Sequence, residues 1–142
     1  MIISDLCIRD KDIPLSVADA ILECHIRPMA KIHQRLKIKA SERSGYRSLH
    51  YELSKDRSGN SQHTFEDTWL NGAGAVDWGL VEWSQIDFKR LTALILDGTD
   101  YQRICVYRSF IHCDFKQGSR YNGQKELYQS DDLSNWEFVK YV

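Results

Sequence analysis

At 142 residues the chain has the size of one ordinary domain, long enough to bury a core without staples. Hydrophobic residues at 42% and charged residues at 27% exclude a disordered or fibrous chain. With 19 basic and 20 acidic residues there is no cationic surplus to neutralise phosphates, which argues against nucleic acid as a partner.

The four cysteines, Cys7, Cys24, Cys105 and Cys113, are scattered and form no C-x-x-C pair, so all are expected to be reduced and semi-buried. Residues 1–12 carry acids and lack the charged start and apolar run of a signal peptide. No stretch approaches the roughly 20 apolar residues of a membrane span, so no membrane partner is expected. The chain is expected to be cytoplasmic as synthesised, unless something else releases it. No repeat or linker divides it, and residues 1–142 are expected to form a single domain.

In chain order, residues 15–36 place Val17, Ile21, Cys24, Met29, Ile32 and Leu36 at helical steps, with Asp12 or Ser16 as cap. Pro28 removes a backbone N–H, which predicts either one helix bent around residues 24–27 or two helices meeting there. The basic stretch 35–39 alternates with Leu36 and Ile38 and reads as a solvated edge. Residues 41–60 are polar, with turns at Gly45 and Gly59. A second helix over 84–96 presents Ile86, Leu91, Leu94 and Ile95 on one face. Ser84 caps it with Asp87 three residues on, and Gly98 closes it. The period then changes. Residues 103–107 and 110–115 read as strands, and 125–128 with 136–141 as a terminal hairpin. Helices first and strands later predict an α+β fold, N-terminal helices against a small, mostly antiparallel sheet.

Three stretches concentrate reactive side chains: Ser44-Gly45-Tyr46-Arg47-Ser48, then Asn60-Ser61-Gln62-His63 leading to Gly74-Ala75-Val76-Asp77-Trp78, then Phe110-Ile111-His112-Cys113-Asp114-Phe115. Singly, each has an ordinary structural explanation: a hydrogen-bonded core histidine, a surface salt bridge, a turn carboxylate. In this order they resemble the zinc D-Ala-D-Ala carboxypeptidase family and its hedgehog-type relatives. Those proteins show S-G-Y-R-S, S-x-H leading into G-x-A-x-D, and a late aromatic-x-H strand. The resemblance covers roughly residues 15–115 and includes the sixteen-residue step from Arg47 to His63.

The resemblance implies a Zn2+ cofactor on His63, Asp77 and His112, the ligands coming from two loops and a strand. Zinc takes imidazole nitrogen and carboxylate oxygen, and catalytic sites use three protein ligands with water in the fourth position. Such an ion lowers the pKa of its water and polarises a scissile carbonyl. Arg47 would fix a carboxylate or carbonyl of the substrate through its planar fork. Tyr46 and Ser61 fall on the same substrate side. Ser61, Gln62 and Asp114 are also candidates for orienting the ligand rings, Asp114 being alternatively a solvent-facing strand residue. The implied activity is hydrolysis of a peptide bond in peptidoglycan stem peptides, next to a D-amino acid. A phage-type protein would be one route to such a substrate.

Two departures stand out. His63 and Asp77 are fourteen residues apart, farther than the family's usual spacing, with Trp69 in the intervening loop and Gly72 and Gly74 to absorb it. Many members place a glutamate shortly before the last histidine as general base, where this chain has Val106, Tyr107, Arg108 and Ser109. Glu66, Asp67 or Asp114 are the substitutes the sequence offers, and Tyr107 could donate to an oxyanion or simply pack. The missing glutamate motivates a second reading, a hydrolysis-deficient zinc domain serving as a binding or structural module. His25, His33 and His50 read as structural, and Gly72-Ala73-Gly74 lacks phosphate-loop spacing.

Overall fold

The computed structural model describes residues 13–41, 46–47, 49–55, 63, 65, 73–115, 124–132 and 135–142. The first helical region runs unbroken from α1 (Leu15–Ala20) through π-helical turns at Ile21–Ile26 into α2 (Arg27–Arg35). Pro28 cannot donate to the carbonyl four residues back, and its ring crowds that carbonyl. The widened turns just before it relieve the clash, so one continuous helix forms rather than two. Ser16 does not cap it: the N-cap is Pro14, whose carbonyl accepts from the Ala18 N–H at 2.9 Å.

The remaining elements are β1 (Ile38–Ala40), α3 (Leu49–Ser54), β2 (Ala75–Leu80), α4 (Gln85–Gly98), β3 (Arg103–Val106), β4 (Phe110–Asp114), β5 (Glu126–Gln129) and β6 (Glu137–Tyr141). The strands form one six-stranded sheet in the order β1-β2-β4-β3-β5-β6. All neighbours are antiparallel except β3 and β5. This is the expected α+β class. The basic stretch 35–39 runs from the end of α2 into the edge strand β1; Arg35, Lys37 and Lys39 are exposed, as a solvated edge requires, while Leu36 and Ile38 turn into the core.

β2 corrects the sequence reading, which left Asp77 in a loop. It is an interior strand with all six residues buried. A strand covered on both faces shows no polar alternation, so nothing in its sequence marks it.

Alternation along the strands sorts side chains onto two faces. Val76, Trp78 and Leu80 of β2, Ile104 of β3 and Ile111 and Cys113 of β4 join Val17, Ile21, Met29, Ile32, Leu91 and Ile95 in one core. The intervening positions Asp77, Arg103, Cys105, His112 and Asp114 fall on the opposite face, where register sets Asp77 against His112 and Arg103 against Asp114.

Ser84 caps α4 as expected, its Oγ accepting from the Asp87 N–H at 3.3 Å. The closure differs. Gly98 ends the helix without a left-handed turn, and Gly74 is the positive-φ glycine among the described residues. Thr99 instead donates its hydroxyl to the Ile95 carbonyl at 2.7 Å, and the Lys125 ammonium donates to the carbonyls of Leu96 and Thr99. A cation on these last carbonyls also suits the helix dipole.

A buried hydrogen-bond chain ties the continuous helix to the sheet. The Trp78 indole N–H donates to the Tyr101 hydroxyl at 3.0 Å, which donates to His25 Nδ1 at 2.7 Å. His25 Nε2–H then donates to the Ala73 carbonyl at 2.6 Å. An indole only donates and a carbonyl only accepts, so the direction of the chain and the histidine tautomer follow. Burial pushes His25 down to about 4 and keeps it neutral, the Ala73 bond opposing only in part. His25 is therefore structural, as its sequence context suggested. Among the described residues no helix is long and apolar enough to cross a membrane.

Candidate metal centre

Cross-strand pairing creates the centre of the site. His112 Nδ1 lies 2.8 Å from Asp77 Oδ1. His63 Nε2 completes a triangle, 3.3 Å from His112 Nδ1 and 3.4 Å from Asp77 Oδ1. All three residues are buried, and their donor atoms lie within 4.8 Å of one another. A tetrahedral ion bound at about 2.0–2.1 Å holds adjacent ligand atoms about 3.3 Å apart. Two of the three separations already have that value, and the third needs to open by about half an ångström. The residues fit a metal ion, and two imidazoles with one carboxylate suit several divalent metals.

His63 reaches the sheet from outside it. Its carbonyl accepts from the Arg47 N–H at 2.9 Å, which fixes the two segments side by side. Two residues on, Phe65 adopts φ +56°, uncommon for a bulky residue. Its ring packs where a Cβ on Gly74 (φ +69°) would stand, 2.4 Å away. The glycine thus supplies both a left-handed backbone and the space that seats the His63 segment.

Charge is concentrated here. Burial works against the His112 cation, but hydrogen bonds to Asp114 and Asp77 outweigh it and push the group up to about 9. Burial likewise opposes ionisation of Asp77, yet His63 and His112 hold it far below the usual carboxylate range. His112 and Asp77 thus form a compact ion pair within the cluster.

Asp114 is wholly buried, so it is not a solvent-facing strand residue. Its Oδ2 accepts from His112 Nε2–H at 2.7 Å, on the ring edge opposite Nδ1. Arg103 clamps the same carboxylate in a fork, Nε to Oδ1 at 2.9 Å and Nη2 to Oδ2 at 2.6 Å. Trp136 packs edge-on against the His112 ring, centroids 5.1 Å apart, and the Arg103 guanidinium lies 5.0 Å from the indole centroid. The indole N–H donates to the Tyr107 hydroxyl at 2.5 Å. Tyr107 stacks on Phe110, and burial pushes its phenol up to about 12 against that hydrogen bond. Tyr107 is therefore one side chain removed from His112.

Arg47 is 17% exposed and forms an ion pair with the buried Glu52 of α3, Nε to Oε1 3.0 Å. Tyr46 is buried in the core, its ring edge-on to Phe65. Ser61, Gln62, Glu66, Asp67, Trp69 and Gly72 lie outside the described residues. Cys24, Cys105 and Cys113 are free thiols, and burial raises all three, Cys105 to about 12. Among the described residues, Glu52, Arg103 and Trp136 escaped the sequence reading. Only Arg103 left a usable signal, because once residues 103–107 and 110–115 are paired as a hairpin it falls opposite Asp114.

No protein-family model, curated protein or solved structure matches this chain.

Proposed function

We propose that the chain is a zinc-dependent peptidase acting on the peptide stems of bacterial peptidoglycan, next to a D-amino acid. The observation that carries this reading is the convergence of His63 Nε2, Asp77 Oδ1 and His112 Nδ1 at separations of 3.4 Å or less. The substrate class rests on the resemblance of the motifs to the D-Ala-D-Ala carboxypeptidase and hedgehog-type family.

Bound there, zinc supplies Lewis-acid chemistry, polarising a carbonyl and lowering the pKa of a water. The chain's own residues have separate jobs. With the metal bound, Asp114 would hold His112 as its Nε2–H tautomer and leave the Nδ1 lone pair for the ion. Glu52 steadies Arg47 by its Nε edge, and a planar guanidinium is the donor that best binds a substrate carboxylate. Both carboxylates that touch His112, Asp77 and Asp114, are engaged, so this reading assigns the proton acceptor to Glu66 or Asp67. Tyr107 remains a neutral phenol with a proton of its own to donate.

The same engagement of Asp77 and Asp114 favours a second reading, a zinc domain without hydrolysis that serves as a binding or structural module. Metal analysis of the purified protein, followed by incubation with peptidoglycan and synthetic stem peptides and mass spectrometry, decides between them. The peptidase reading expects about one zinc per chain and a defined cleaved bond. Full zinc loading with intact peptides selects the module, and a folded protein that takes up no zinc defeats both.

A further inference from the structure

We propose that Arg103 is a positioning residue for the metal centre, acting through Asp114 on His112. The inference rests on the metal-binding reading and is independent of hydrolysis.

The relay follows from strand register. Arg103 and Asp114 are direct partners on β3 and β4, and Cys105 is the partner of His112, so alternation puts Arg103, Asp114 and His112 on one face. Asp114 has 0% of its surface exposed, and a carboxylate so enclosed depends on its partners to fix its plane. Arg103 supplies that plane. Its Nε meets Oδ1 at 2.9 Å and Oδ2 at 3.0 Å, and its Nη2 meets Oδ2 at 2.6 Å. The oxygen so fixed, Oδ2, is the one that accepts from His112 Nε2–H at 2.7 Å. The imidazole is thereby set in rotation, and Nδ1 faces Asp77 and His63.

Trp136 holds the arrangement from above. It packs against the His112 ring and takes the Arg103 guanidinium on its face, so one indole restrains both ends of the relay. Lysine could replace the charge of Arg103 but not its fork, since an ammonium offers one point of contact. An unclamped carboxylate turns about its own axis, the ring tips with it, and Nδ1 leaves the metal position.

The test is zinc affinity of the full chain, measured by competition with a chromophoric chelator, together with the visible spectrum of the cobalt-substituted protein. R103A and D114N are each expected to lose about 10–100-fold in zinc affinity. The double variant R103A/D114N is expected to lose little more than D114N alone, because Arg103 acts on His112 chiefly through Asp114. R103K is expected to fall between wild type and R103A, and the cobalt spectra of R103A and D114N are expected to shift in the same sense. Circular dichroism of the metal-free forms separates lost affinity from lost fold, and R103K with the charge-removed double variant carries the comparison if R103A does not fold. Additive losses in the double variant, or wild-type affinity in R103A, overturn the relay while leaving the metal reading intact. A wild-type chain that binds no zinc overturns the metal reading itself.

Discussion

Asp77 and His112 are direct cross-strand partners on the adjacent interior strands β2 and β4, and their side chains meet at 2.8 Å. Two-residue periodicity places both on the face away from the helices, so the fold itself brings them together, and His63 needs only to be carried across. Asp77→Asn is nearly isosteric, removes the charge and replaces one acceptor oxygen by an N–H donor. Zinc is expected to fall from about one per chain to near zero in this variant. Zinc at about 100 times its dissociation constant adds about 2.7 kcal/mol to a binding protein, and D77N is expected to show none of that gain in thermal unfolding. Stoichiometric zinc in D77N would remove Asp77 from the ligand set.

Acid is expected to destabilise the fold through His25. Its pKa is about 4 in the folded chain and 6.5 unfolded, so below pH 6.5 the unfolded state takes up a proton that the folded state refuses. The stability tied to His25 is complete above pH 6.5 and drains away as pH falls through about 4. A shift of that size corresponds to about 3 kcal/mol. Urea unfolding between pH 7 and 4 measures the slope, and His25→Gln should flatten it while lowering stability at pH 7. An unchanged slope in H25Q assigns the acid sensitivity to other groups.

What the sequence made legible depended on pattern length. The helix over 15–35 and α4 show their apolar stripes over several turns, and even the disturbance before Pro28 could be placed, because a missing N–H acts locally. β3, β4 and the terminal hairpin are rich in β-branched and aromatic residues, and they formed within a residue or two of expectation. β1 has three residues, too few for any period to show, and β2 has both faces buried. The convergence of His63, Asp77 and His112 was readable from motif order alone. The identity of what surrounds them was not. Glu52 lies on a short helix with no motif, and Trp136 reaches His112 from a hairpin whose sequence says nothing about the far strand.

Gly74 is expected to be the least replaceable glycine among those described. In Gly74→Ala the new Cβ meets the Phe65 ring at 2.4–2.5 Å and must adopt φ +69°. Overpacking together with the left-handed strain costs roughly 2–3 kcal/mol in urea unfolding. Zinc affinity should fall as well, because Phe65 follows His63 by two residues. Gly98 supplies the control: a Cβ there meets nothing within 4 Å and the backbone is helical, so Gly98→Ala is expected to be neutral or to stabilise by up to about 1 kcal/mol. Equal effects of the two substitutions would contradict the packing argument.

Trp136 is expected to report metal loading by fluorescence. Its ring lies 5.1 Å from that of His112, whose pKa Asp114 and Asp77 raise to about 9 against burial, which favours the cation at pH 7. A metal held by Nδ1 would displace the proton there, so the charge beside the indole would change on binding. Of the other described tryptophans, Trp78 points into the core on the opposite face, and Trp83 is 58% exposed on the turn between β2 and α4. Zinc titration at pH 7 is therefore expected to change tryptophan emission and to level off at one equivalent. Trp136→Phe keeps an aromatic face on His112 and removes the N–H that binds Tyr107, at a cost of about 1 kcal/mol. This variant should bind zinc and lose the emission change. If W136F keeps the full amplitude, the reporting tryptophan lies elsewhere.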